Sequence, residues 1–364
     1  MTRELELGCH TLNDDSDCYV IAEIGHNHQG SLEKAKEMLL AARQCGADAA
    51  KLQKRENRTL FTRAQYDAPY DNENSFGATY GEHREYLEFD WDEYTALAAY
   101  ARDIGIDFFA TAFDFPSADF LHALDVPAIK IASGDLNNVP LLKYVAELQR
   151  PMIISTGGGT PADIQRAYDA VRPINSQVCI LQCTASYPAA FDELNLRVIR
   201  TLRERFPDAI IGFSSHDNGI AMPVAAYVLG ARVVEKHVTL DRASKGTDHA
   251  FSLEQPGLRR MVRDLRNTRI ALGDGMKRNY ESEAAPLKKM GKKLVARRFL
   301  PAGHRLGADD VAIKSPNDGL PPYELENVLG RVLTRPLEPD DNLRWEDLAQ
   351  ADKVTEHAGD RRAI

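Results

Sequence analysis

The 364-residue chain contains no C-x-x-C pair, and its five cysteines (Cys9, Cys18, Cys45, Cys179, Cys183) are odd in number and scattered. That excludes a disulfide scaffold and points to free thiols in a reducing compartment. No apolar run approaches the roughly 20 residues that span a bilayer. No basic segment precedes an apolar one at the start, where MTRELELGCHTLNDDSD is polar. A cytoplasmic protein with no membrane partner is expected. Basic residues number 45 against 54 acidic ones, for a formal charge of −9. This argues against non-specific nucleic-acid binding. It still allows an anionic substrate, because a few local lysines outweigh a distant acidic surface. A dinucleotide loop is also missing. The first strand runs into GHNHQG (Gly25–Gly30), which lacks the glycine spacing of a doubly wound fold.

What the chain does contain is alternation. Short apolar runs lie at Tyr19–Ala22, Ala49–Leu52, Asp107–Ala110, Ala128–Ile131, Met152–Ile154, Val178–Leu181, Ile210–Phe213 and Val233–Val234. Each reads as a buried parallel strand. Amphipathic segments separate them: Ser31–Cys45, Trp91–Ile104, Ser117–Leu124, Pro140–Leu148, Pro161–Val171, Asn195–Arg205, Ile220–Leu229 and Glu254–Leu272. In the first, Ser31 is a candidate N-cap and Gly46 follows the end. Eight strand–helix units in about 250 residues predict a (β/α)8 TIM barrel over residues 1–273. Residues 54–90 form a polar, aromatic insertion after the second strand, on the face where barrels carry chemistry. Residues 274–290 read as a linker. Residues 291–350, rich in turn residues, read as a small β-rich domain, and the charged tail 351–364 reads as disordered.

In such a barrel the chemistry belongs at the C-terminal strand ends. Those ends carry Glu23; Lys51 and Gln53; Thr111; Lys130 and Ser133; Ser155, running into Gly157–Gly159; Gln182 and Thr184; Ser214 and His216; and Glu235, Lys236 and His237. Burying so many polar groups without partners would be costly. Lys51 and Lys130 with the hydroxyls of Ser133, Ser155 and Ser214 suit a phosphate and a carboxylate. The glycine triplet adds open backbone N–H groups. His216 and His237, from adjacent strand ends, reach one ion. Two neutral nitrogens leave positions for water and substrate, as a catalytic Mn²⁺ or Mg²⁺ needs, and are too few for structural zinc. Cys183 ends an apolar run and reads as a buried thiol rather than a nucleophile.

Taken in order, AEIGHNHQGS (Ala22–Ser31), KLQK (Lys51–Lys54), KIASGDLNN (Lys130–Asn138), ISTGG (Ile154–Gly158), LQCTASYP (Leu181–Pro188), IGFSSHD (Ile211–Asp217), EKHVTLD (Glu235–Asp241) and KGTDHAFSLE (Lys245–Glu254) resemble the sialic acid synthase family. SFGATYGEHREYLEF (Ser75–Phe89) resembles its vertebrate-type branch, and residues 291–350 resemble the family's antifreeze-like (SAF, β-clip) domain. The resemblance implies condensation of phosphoenolpyruvate with N-acetylmannosamine, its 6-phosphate or a mannose-type aldehyde. The products are a sialic acid-type nonulosonic acid and phosphate, with C–C bond formation and C–O cleavage. It implies that Lys51, Lys130, Ser133, Ser155 and Ser214 contact phosphoenolpyruvate and that His216 and His237 hold the divalent metal. Glu23, Gln53, Asp135, Tyr187 and Asp248 match positions near the sugar and a metal-bound water. Thr111 and Thr184 join the substrate-binding set, and Glu23, Lys51, Lys130 and Asp135 the catalytic one. A domain-swapped homodimer is also implied.

Some positions depart from the family pattern. Ala185 stands where many bacterial members have asparagine, Asp135 where they have glutamate, and Ser315 where many carry an arginine that reaches across a dimer. Asp71–Ala78 carries Asp71 and Glu73 where the vertebrate type is richer in lysine, so free and 6-phosphorylated acceptors both stay open. Two other functions fit the residues. One is a barrel aldolase with Lys51 or Lys130 as Schiff base, and the other a non-catalytic sugar-binding homologue.

Overall fold

The computed structural model describes residues 3–349, so the tail at 351–364 lies outside the described residues. The chain divides into two compact units, Met1–Gly273 and Asp274–Ile364.

In the first unit eight parallel strands close into a barrel: β1 (Tyr19–Gly25), β2 (Ala49–Lys54), β3 (Asp107–Ala112), β4 (Ile129–Ile131), β5 (Met152–Ser155), β6 (Val178–Cys183), β7 (Ile210–Ser215) and β8 (Val233–His237). β8 closes on β1 with Val233 opposite Tyr19 and His237 opposite Glu23. The strands run longer than their apolar runs because their polar last residues still pair in the sheet. Val233–Val234, for instance, extends through Glu235, Lys236 and His237. The helices between strands begin where local chemistry starts them. Ser31 accepts from Lys34 N, and Asp90 with Glu93 and Thr160 with Asp163 form capping boxes ahead of Trp91–Ile104 and Pro161–Val171. Pro116, Pro140, Pro161 and Pro256 sit in first turns, where no N–H is needed.

Two features were not expected. Leu5–Leu7 and His10–Leu12 form an antiparallel hairpin within the polar N-terminus. Its Leu5, Leu7 and Leu12 join the barrel core, and Gly8 at the turn sits at φ +59° against the Asp107 carboxylate at the start of β3. Three leucines thus cover the barrel end opposite the chemistry. The insertion 54–90 is not plain loop. It holds helices Asn57–Leu60, Arg63–Tyr66 and Tyr80–Leu87, the last capped by Thr79 and Glu82.

In the second unit residues 281–290 of the expected linker form a 3-10 turn and the helix Ala284–Met290. Strands β9 (Lys293–Ala296) and β10 (Val311–Lys314) pair antiparallel. Isolated bridges such as Leu300–Leu337 and Leu333–Leu348 complete a small β-rich body around Leu294, Leu306, Val328 and Leu343. Among the described residues no helix is long and apolar enough to cross a membrane.

Candidate active site

The C-terminal strand ends enclose a cavity of about 310 Å³. Strand alternation decides what enters it. Lys51 and Gln53 on β2 line it, as do Glu235 and His237 on β8. Lys236 between them turns away and donates to Ser215 Oγ at 2.9 Å and to the Asp217 carbonyl.

Four buried charges alternate in the floor. Lys51 Nζ lies 2.6 Å from Glu23 Oε2 and 3.7 Å from Glu235 Oε2, and Lys130 Nζ lies 3.7 Å from Glu235 Oε1. The first pair follows from register, since Glu23 and Lys51 face each other across β1 and β2. Lys51 also donates to Thr111 Oγ1 at 2.9 Å, and Lys130 to Ser155 Oγ at 2.6 Å. None of the four is more than 4% exposed, and two ammonium groups against two carboxylates make that burial tolerable. Burial pushes the Glu23 carboxyl up to about 7, with Lys51 only partly opposing it. Burial acts on Glu235 as well, but Lys130 and Lys51 outweigh it and hold that carboxyl low. Glu235 therefore stays ionised while Glu23 can exchange a proton near neutral pH. Burial also lowers the Lys130 ammonium, against the pull of Glu235.

The imidazoles of His216 and His237 have ring centroids 5.5 Å apart. His216 Nδ1 is 2.8 Å from the Thr184 carbonyl, which assigns it the proton and leaves Nε2 as lone pair. His237 Nδ1 is buried with no hydrogen-bond partner, 3.7 Å from Asp248 Oδ2. Burial keeps both rings neutral, pulling His216 down to about 3. The Tyr187 ring lies over His216, centroids 4.2 Å apart. An orphaned ring nitrogen, a second lone pair and a nearby carboxylate suit a divalent cation that keeps water ligands. Among the described residues no group of three or more His, Cys, Asp and Glu side chains could hold a metal alone, as structural zinc requires.

Of the residues expected at the site, all but Asp135 and Thr184 line this cavity. Thr184 donates its hydroxyl to the Glu193 carbonyl at 3.0 Å, so it braces a 3-10 turn instead of facing substrate. Asp135 Oδ1 accepts from Asn138 Nδ2 at 3.0 Å on the turn after β4. The glycine triplet also offers fewer free amides than expected. Gly157 N donates to Ser133 Oγ at 3.0 Å and Gly159 N to the Thr156 carbonyl. Cys183 lines the cavity too, but burial pushes its thiol up, which keeps it protonated and unreactive.

Several lining residues escaped the sequence reading. Glu235 was readable, since a period of two back from His237 points it inward. His26, Arg55, Phe76, His83 and Arg84 also line the cavity. Phe76, His83 and Arg84 come from the insertion, whose internal helices no strand-end rule could supply.

The family model described as NeuB family matches residues 38–277, and the SAF domain model matches residues 293–349. The chain is 43% identical to the N-acetylneuraminate-9-phosphate synthase of Mus musculus over 92% of this chain and 94% of that one. It is 43% identical to the enzyme of the same name from Homo sapiens, over 90% and 92%. Among solved structures, the N-acetylneuraminic acid (sialic acid) synthetase of Leptospira borgpetersenii, in complex with citrate, aligns with a TM-score of 0.69 and 30% identity. That alignment covers 79% of this chain and 95% of the other. With a barrel that matches the family model and this identity along nearly its whole length, the chain belongs to the NeuB family and carries a SAF domain.

Proposed function

We propose that this chain condenses phosphoenolpyruvate with an N-acetylmannosamine-type aldehyde to give a sialic acid-type nonulosonic acid and phosphate. The observation that carries the proposal is the convergence of Glu23, Lys51, Lys130, Glu235, His216 and His237 on one cavity, in a family whose named relatives are such synthases.

Lys51 and Lys130, with the hydroxyls of Ser133, Ser155 and Ser214, hold the carboxylate and phosphate of phosphoenolpyruvate. As it binds, the lysines exchange part of their pairing with Glu23 and Glu235 for substrate anions. His216 and His237, with Asp248 beside them, would hold Mn²⁺ or Mg²⁺. When bound, the ion supplies Lewis-acid polarisation of the aldehyde oxygen. Gln53 and Tyr187 orient the open-chain sugar so that its C1 meets C3 of phosphoenolpyruvate. Holding both substrates in register supplies much of the rate gain. Water then adds at C2 and phosphate departs with C–O cleavage. Glu23 exchanges the proton. Thr111 fixes Lys51, while Asp135 and Thr184 brace the walls behind the cavity.

The SAF unit pairs the chain into a domain-swapped homodimer, in keeping with the family and with the prevalence of twofold assemblies. Light scattering at twice the chain mass is the expected result. The five cysteines are free, as a cytoplasmic location would have them.

The test is phosphate release from phosphoenolpyruvate with each candidate sugar and Mn²⁺ or Mg²⁺. No release with any hexosamine or hexose contradicts the proposal. An aldolase reading has one observation in its favour, the lowered Lys130 ammonium. Borohydride trapping with pyruvate separates the two, because the synthase route forms no imine.

A further inference from the structure

Two arginines in the cavity wall lack a carboxylate partner. Arg55 is 7% exposed. Its Nη1 is 3.1 Å from His26 Nε2, its Nη2 donates to Gln53 Oε1 at 2.7 Å, and its guanidinium lies 3.8 Å from the centre of the Phe113 ring. Arg84 Nη1 is 3.1 Å from the other ring nitrogen, His26 Nδ1, and its Nε and Nη2 reach Tyr80 Oη at 3.0 and 2.9 Å. Among the described residues neither guanidinium has an ion pair within 4.0 Å. The nearby Glu88 carboxylate is held by Lys54 Nζ at 2.8 Å and takes only the backbone N–H of Arg55.

The cluster is over-supplied with donors. A neutral imidazole has one acceptor nitrogen, so His26 satisfies one of the two arginines and turns an N–H towards the other. A protonated His26 would accept from neither, and burial together with both arginines holds it well below its ordinary range. Arg55 uses two of its five N–H donors on His26 and Gln53. A buried guanidinium without a counter-charge is costly, and an arriving anion removes that cost.

Gln53 sets the position of this wall relative to the chemistry. Its Oε1 accepts from Arg55, and its Nε2 donates to Glu23 Oε1 at 2.8 Å. One amide therefore separates the arginine wall from the floor where Glu23 and Lys51 pair. Asp71 and Glu73, the acids that left the acceptor's charge open at the sequence level, are solvent-exposed and do not line the cavity.

We infer that Arg55, Arg84 and His26 form a subsite for an anionic group on the acceptor sugar, at the end remote from its aldehyde. The inference rests on the proposed condensation and deepens it. A phosphate monoester suits the subsite better than a carboxylate. Two guanidinium forks and an imidazole approach from different elements, and a phosphate offers three oxygens and more charge to share among them.

The test is steady-state kinetics of the full chain with phosphoenolpyruvate, Mn²⁺ and three acceptors: N-acetylmannosamine, its 6-phosphate and its 6-carboxylate analogue. The wild type is expected to prefer the 6-phosphate over the free sugar by tenfold or more in kcat/KM. Arg55→Gln is expected to lower that ratio by tenfold or more, Arg84→Gln to lower it in the same direction, and Arg55→Lys to restore part of it. A preference for the 6-carboxylate over the 6-phosphate overturns the choice of phosphate. No preference for either anion, or a ratio unchanged in both glutamine variants, overturns the subsite. If no acceptor yields product, the condensation itself fails. Calorimetric titration of the 6-phosphate into wild type and Arg84→Gln then decides the subsite, with equal affinity overturning it.

Discussion

Lys51 Nζ lies 2.6 Å from Glu23 Oε2, and each side chain is 2% exposed. An ion pair so deep leaves an unpaired charge when one partner is removed. Lys51→Met is therefore expected to destabilise the fold by about 3–5 kcal/mol and to abolish turnover. Adding Glu23→Gln recovers part of the stability and none of the activity, because the two changes are coupled. Chemical denaturation of the single and double variants measures this. Additive losses contradict the pairing.

The same pair predicts a pH dependence. Folding raises the Glu23 carboxyl from its ordinary 4.5 to about 7. Between those values the folded state binds more proton than the unfolded one, so this group's contribution to stability falls as pH rises. The slope reaches at most about 1.4 kcal/mol per pH unit. Below pH 4.5 the group contributes no slope. The stability difference between wild type and Glu23→Gln should therefore shift against the wild type from pH 5 to pH 7. A difference independent of pH, followed by urea titration, contradicts the raised value.

The barrel was legible because its signal is local. A parallel strand buried on both faces reads as an apolar run, and a turn-capped helix reads from Ser31 or Asp90 onwards. The strand-end rule then collected Lys51, Lys130, His216 and His237 from four separate segments. It could not say which way a polar strand end faces without a fixed point, so Lys236 and Glu235 stood undistinguished. It placed Thr184 at the site on its position alone, although the hydroxyl has a nearer partner in the Glu193 carbonyl. Arg55 and Arg84 were invisible as a pair. They lie 29 residues apart and meet only on His26, through the fold of the insertion.

Thr184 gives a test of that distinction. Thr184→Val keeps the shape and loses the hydroxyl, so it should cost about 1 kcal/mol in stability and leave the KM for phosphoenolpyruvate within about twofold. Ser155→Ala removes the hydroxyl that meets Lys130 at 2.6 Å and should raise that KM about tenfold, the worth of one charge-assisted hydrogen bond. Initial-rate kinetics on both variants separates them. A larger KM effect from Thr184→Val returns that hydroxyl to the substrate.

The orphaned His237 Nδ1 predicts metal affinity. His237→Ala should weaken Mn²⁺ binding at least tenfold, as read by the paramagnetic relaxation of water protons, while the thermal midpoint without metal stays near that of the wild type. Unchanged Mn²⁺ binding would place the ion elsewhere.

Gly212 on β7 marks how tightly the barrel closes. A Cβ there would lie 2.4 Å from Leu181 Cδ2 and 2.5 Å from the Val233 carbonyl. Gly212→Ala should cost about 1–3 kcal/mol of stability by overpacking. A neutral result in thermal unfolding contradicts the packing between β6, β7 and β8.

The condensation is tested most directly by the fate of one oxygen. Phosphoenolpyruvate labelled with ¹⁸O at the bridge between C2 and phosphorus is turned over with the acceptor and Mn²⁺, and the released phosphate is weighed by mass spectrometry. Water addition at C2 followed by C–O cleavage predicts phosphate that keeps the label, two mass units heavy, in step with a nine-carbon acid. Unlabelled phosphate, or labelled phosphate without that acid, would contradict it.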